Sequence, residues 1–154
     1  MANYDDNKSK PQISKELFRR WRDAREQWDA EARNAVDFTL GNHYSNDESD
    51  ALQAVGQADF VIDRVYAAVD KLKSLLTARP ARFSVIARED SDNKLANVWR
   101  TILEYVWDIS NGDSTFKQVV HDYAVTGLGY MYVYVDPDAD YGRGEVKYTH
   151  VDPF

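Results

Sequence analysis

No cysteine occurs in the chain, which excludes a disulfide framework and any metal site built on thiolates. The first residues, Met1-Ala2-Asn3-Tyr4-Asp5-Asp6, contain no apolar signal region. No run approaches the roughly 18 apolar residues that a membrane span needs. These absences predict a soluble protein made in a cytoplasm, with no membrane partner. Positive charge is in deficit: 19 Lys and Arg face 26 Asp and Glu, for a net charge of −7. That balance argues against general duplex binding through a basic surface. The sequence also lacks internal repeats and low-complexity stretches. What is there suits one globular domain, since 154 residues with 44% hydrophobic content can build a real core. Four Trp, ten Tyr and six Phe are many aromatics, a class that supplies large buried areas and is enriched at interfaces.

The chain is organised around Phe60–Glu89. Val61, Val65, Ala68, Val69, Leu72, Leu75 and Leu76 recur at three- and four-residue steps and share one helical face. Pro80 then stops the helix, and Arg82–Ala87 reads as a short strand with Phe83 and Val85 on one side. Upstream, a long helix is expected from a cap at Ser14 to about Leu40. Leu17, Trp21, Ala24, Trp28, Ala32 and Ala35 form its stripe, and Gly41-Asn42 ends it. His43 to Asp59 reads as a polar connection with a short helix around Ala51–Val55. Downstream, Ser91 or Asp92 caps a helix whose broad apolar face, Leu95 through Ile109, predicts a sandwiched element. A further helix, capped by Asp113 or Ser114, runs to Gly127. Tyr130–Val135 and Glu145–Val151 then form a strand pair across a turn. The chain stops abruptly at Asp152-Pro153-Phe154, which reads as a cut from something longer.

Candidate chemistry is sparse. Asp136, Asp138 and Asp140 alternate as in a calcium loop, but Tyr141 stands where glycine is needed and Lys147 where a bidentate Glu is needed. A solvated hairpin turn accounts for them better. His121-Asp122 could be an acid–base pair, yet neighbours on a helix point in different directions; His43 and His150 likewise read as structural. No G-x-S-x-G elbow accompanies them. Gly127-Leu128-Gly129 lies between a helix and a strand, the reverse of the dinucleotide fingerprint. Arg79, Arg82 and Arg88, and the arginines near Trp21, are interleaved with acids and so suit surface or intersubunit salt bridges better than phosphate contacts. The Trp21/Trp28 stripe reads either as core or as a subunit interface. No catalytic residue, cofactor site or metal site emerges.

Four passages, in this order, carry a family resemblance. They are Trp21 through Trp28, leading to Gly41-Asn42-His43-Tyr44; Val69-Asp70 through Ala78-Arg79-Pro80-Ala81-Arg82-Phe83; Asp122 through Tyr130; and Gly144-Glu145-Val146 followed by Val151-Asp152-Pro153. Together they resemble the N-terminal region of tailed-bacteriophage portal proteins, the short-tailed type above all. The resemblance implies an α+β wing region over 13–154, several helices packed with a small antiparallel sheet, behind a mobile tail over 1–12. It implies a structural subunit of a homo-oligomeric, dodecameric ring at a capsid vertex of the virion. Through such a ring DNA enters and leaves, and on it terminase, the major capsid protein and tail adaptors dock; it carries no catalytic site. Trp21, Trp28, Arg79 and Arg82 become candidate subunit-interface residues. The family's stem and clip segments have no counterpart here, as a truncated chain would lack them. The alternative is a small stand-alone adaptor or nucleic-acid-binding module using the Arg-rich helix.

Overall fold

The computed structural model describes residues 9–89 and 92–154. Its elements run α1 (Lys10–Thr39), α2 (Asn46–Ala54), α3 (Arg64–Leu76), α4 (Asn93–Ile109), α5 (Gly112–Thr126), β1 (Tyr130–Asp136), a helical turn α6 (Ala139–Gly142) and β2 (Glu145–Val151). This is the expected α+β class, mostly helical, with a two-stranded antiparallel sheet. Most of the expected mobile tail, residues 1–8, lies outside the described residues, as does Ser91, one of the two expected caps for α4.

Helix α1 starts ahead of the expected cap. Pro11 sits in its first turn, where a missing N–H costs nothing, and the Ser9 N–H donates to Gln12 Oε1 at 3.0 Å. Ser14 lies inside the helix, its hydroxyl donating to the Lys10 carbonyl at 3.0 Å. Gly41, at φ +83°, turns the chain out after Thr39. Helix α2 also starts earlier than expected. Ser45 and Glu48 form a reciprocal cap, with Ser45 N–H donating to Glu48 Oε2 at 2.8 Å and Glu48 N–H to Ser45 Oγ at 3.3 Å. Asp63 caps α3, accepting from the Tyr66 N–H at 2.8 Å.

The expected strand over Arg82–Ala87 does not form. This stretch is extended, and Phe83 and Val85 are half-buried while Arg82, Ser84 and Ile86 are exposed. The alternation is that of a strand, but among the described residues β1 and β2 pair only with each other, so no ladder reaches it. The sheet runs in simple register from Tyr130 opposite Val151 to Asp136 opposite Glu145.

Helix α5 is the central post, packing against α1, α3, α4 and both strands. Asn111, in left-handed backbone at φ 49°, makes the turn from α4 into α5. It brings Gly112 under the Trp107 indole, which is 8% exposed. Phe83, Tyr148 and Phe116 surround that indole at centroid distances of 5.3, 5.8 and 6.4 Å. Its Nε1–H donates to Asp113 Oδ1 at 3.0 Å. Helix α4 is not sandwiched as expected. Ala96, Val106 and Trp107 are buried, but Leu95, Val98, Trp99 and Ile102 remain 41–56% exposed, because the described residues pack on one side of α4 alone.

A Cβ at position 112 would lie 2.1 Å from Trp107 Cδ2. Gly112→Ala should therefore destabilise the fold by about 1–3 kcal/mol, although alanine favours a helix by about 1 kcal/mol elsewhere. Denaturant unfolding followed by Trp fluorescence checks this; an unchanged or raised midpoint would show that the indole can yield.

Candidate functional site

The four residues singled out in sequence separate into three environments. Trp28 turns inward and becomes the hub of a small knot. Its Nε1–H donates to the Thr126 carbonyl at 3.0 Å, at the end of α5. The Phe154 ring lies 5.7 Å from it, and the Arg25 guanidinium sits 4.6 Å over its face. Arg25 also donates to Asp29 at 3.1 Å and to the Pro153 carbonyl at 2.6 Å, while Arg33 covers the other aromatic, Phe154, at 4.9 Å. A cation over a ring and a charge-assisted bond to a carbonyl reinforce each other where water is partly excluded. The knot thus pins residues 153–154 to the middle of α1. Trp21, two turns earlier on the same stripe, is 63% exposed.

Arg79 and Arg82 flank Pro80 at the elbow after α3, both exposed. Beside Arg82 is an open cleft of about 270 Å³, lined by Pro80, Phe83 and Trp107 and by the carboxylates Glu104, Asp108 and Asp113. The elbow therefore places two cations next to an acidic rim. Such a surface suits an arginine-bearing or mixed-charge protein partner better than a phosphate backbone.

The Asp-rich turn goes to local structure. Asp136 holds Lys147 Nζ at 2.7 Å, its other oxygen accepts from the Asp138 N–H at 3.2 Å, and Asp140 faces Arg143 at 3.8 Å. Asp140 and Tyr141 adopt left-handed backbone, φ 47° and 56°, so the carboxylates do not converge. Among the described residues, no group of three or more His, Cys, Asp or Glu is placed to hold a metal.

The histidines are likewise dispersed. Asp122 bonds His150 on β2, not its sequence neighbour His121. His43 stacks on Phe38 at 4.8 Å and bonds that residue's carbonyl at 3.0 Å. In the Gly127-Leu128-Gly129 stretch, Gly127 takes φ +79° to stop α5. Gly129 leaves room for the Val119 carbonyl, 2.4 Å from where its Cβ would lie. The partners of Trp28 and Asp122 lie 98 and 28 residues away, and no spacing rule in the sequence points to them.

The sequence model of the phage P22-like portal protein family matches residues 15–153. A comparison with curated proteins found no match.

The Lys147 ammonium holds the Asp136 carboxyl below the usual carboxylate range, with a smaller contribution from the Asp138 N–H; Asp136 in turn raises Lys147. The depressed carboxyl contributes stability above its unfolded value of about 4 and loses it as pH falls through the lower folded value. The raised ammonium contributes below about 10 and loses its contribution as pH rises through the higher folded value. Asp136→Asn should therefore flatten both limbs of the profile of melting temperature against pH. An acid limb as steep as in the parent protein would show that the pair is not coupled to folding.

Proposed function

Because this chain belongs to the phage P22-like portal protein family, we propose that it is a structural subunit of the portal ring at a capsid vertex. In that reading twelve copies surround the channel by which double-stranded DNA enters and leaves. The ring docks terminase, the major capsid protein and the tail adaptors, and works by symmetric assembly, without catalysis. The match over residues 15–153 is the observation that carries the reading. The acidic chain agrees with it, since a net charge of −7 lets DNA pass without being held.

Within the ring, Trp21, Arg79 and Arg82 are the subunit-contact residues. Trp21 offers an uncovered indole of the kind that anchors interfaces, and the arginines face the acidic rim of a neighbour. Trp28 contributes from beneath by fixing the segment of α1 that presents Trp21.

Electron microscopy of the purified protein, with a denaturing mass on the same sample, tests the assembly. Rings are expected, and compact particles of about 17.7 kDa would overturn the reading. Trp21→Ala should leave helicity unchanged and raise the protein concentration at which rings dissociate by about tenfold, the weight of an interface anchor. Equal dissociation would remove Trp21 from the interface.

A further inference from the structure

Asn111-Gly112 is the one Asn-Gly pair in the sequence; every other asparagine is followed by a residue that carries a side chain. Asparagine is thermally labile, because the backbone nitrogen of the next residue can attack its side-chain amide. A glycine at that next position leaves the approach unhindered. The fold nevertheless requires this pair. Position 112 has no room for a Cβ beside Trp107, and position 111 takes φ 49°, where asparagine is among the few side chains tolerated. Asn111 is also exposed to water. The same geometry opposes the reaction. Ring closure needs the Gly112 nitrogen on the same side of the Asn111 Cα–C bond as Cβ, and at ψ 46° it lies on nearly the opposite side. The peptide plane between the two residues would have to turn over. That plane is anchored: the Asn111 carbonyl accepts from the N–H groups of Ser114 and Thr115, both at 3.0 Å, and Gly112 is buried against the indole. Turning the plane over breaks the first turn of α5 and lifts Gly112 away from Trp107.

We propose that Asn111 is the chain's site of spontaneous deamidation, and that the junction between α4 and α5 holds the reaction closed while the protein is folded. When the junction opens, the Gly112 nitrogen attacks Asn111 Cγ. A C–N bond forms, and the side-chain nitrogen leaves as ammonia, taking the proton that the Gly112 nitrogen gives up. A succinimide ring remains, and water opens it at either carbonyl. One product is aspartate at 111. It keeps the length of the main chain and adds a negative charge beside a helix N-terminus, where such a charge is favourable. The other product is isoaspartate, in which the main chain runs through the former side-chain methylene and is one carbon longer. The extra carbon falls between the left-handed residue and the close contact it sets up, so Gly112 no longer fits under Trp107. The residue pair that permits the junction is thus also the place where its covalent structure fails, and the folded junction is what delays that failure.

Ageing the protein in mildly alkaline buffer, with and without guanidinium chloride, tests this when conversion at each asparagine is followed by peptide mapping and mass spectrometry. In denaturant, Asn111 should convert ahead of every other asparagine. In native buffer its conversion should be slower by about tenfold or more, as for a reaction that proceeds through local opening. Earlier conversion of another asparagine in denaturant would overturn the site. Equal rates at Asn111 in the two buffers would overturn the role of the junction. Phe116→Ala removes one wall of the Trp107 cluster and should speed conversion in native buffer while leaving the rate in denaturant unchanged. A lowered melting temperature with an unchanged native rate would show that this junction is not what holds the reaction closed. The comparison on the parent protein decides the matter even if that variant fails to fold. As a further readout, purified isoaspartyl chains should not regain the parent's Trp fluorescence on refolding, whereas Asn111→Asp should regain it. Full recovery of the isoaspartyl chains would overturn the link between the junction and the modification.

Discussion

The fold depends on one close approach, the contact between the Trp107 indole and the backbone at Gly112. It requires a residue without a side chain at the start of α5 and a left-handed residue, Asn111, just before it. Once those are in place, α4 and α5 meet closely enough for the indole to be walled by Phe83 and Tyr148. Each such ring pair contributes about 0.5–1.5 kcal/mol beyond the area it buries. The Ser110 hydroxyl, at the end of α4, accepts from the Tyr148 N–H at 3.0 Å and ties the hairpin to the same junction. Helix, elbow and sheet thus converge on one side chain.

The rest of the core is thin. Ala32, Ala96, Val106 and Val120 join Trp107 as the buried apolar residues among those described. The Trp28 knot supplies a second point of attachment, at the far end of α5, between α1 and residues 153–154. Large apolar side chains that would complete a core, on α3 and α4, face outward instead. A chain of this size with so much aromatic content has the material for a larger interior.

Much of this was readable in advance. The strands at Tyr130 and Glu145 and the helices over 93–109 and 112–126 follow from periodicity and propensity, because those signals are local. The errors have local causes too. The cap expected at Ser14 lies instead at Ser9, and α2 begins at Ser45, because Gln12 and Glu48 three residues on complete those caps. The Phe83 segment has the alternation of a strand, but pairing is a property of two segments, and one segment cannot announce its partner. The broad apolar face of α4 predicts a sandwiched helix, but a helical period gives the width of a face and not whether it is covered, and among the described residues one side of α4 stays exposed.

The sequence by itself determined the order of the five main helices and of the two paired strands, the α+β class and, through the spacing of four passages, the portal family. Each of these rests on residues near one another in the chain or on their order along it. Tertiary structure alone decided that Trp28 is half-buried and bonded to α5 while Trp21 is exposed, although both lie on one helical stripe. It also decided that Asp122 bonds His150 and not His121, and that α3 presents leucines to solvent. The physical reason is common to all three. A helical period states which residues share a face, but which neighbour that face meets depends on contacts between segments far apart in the chain.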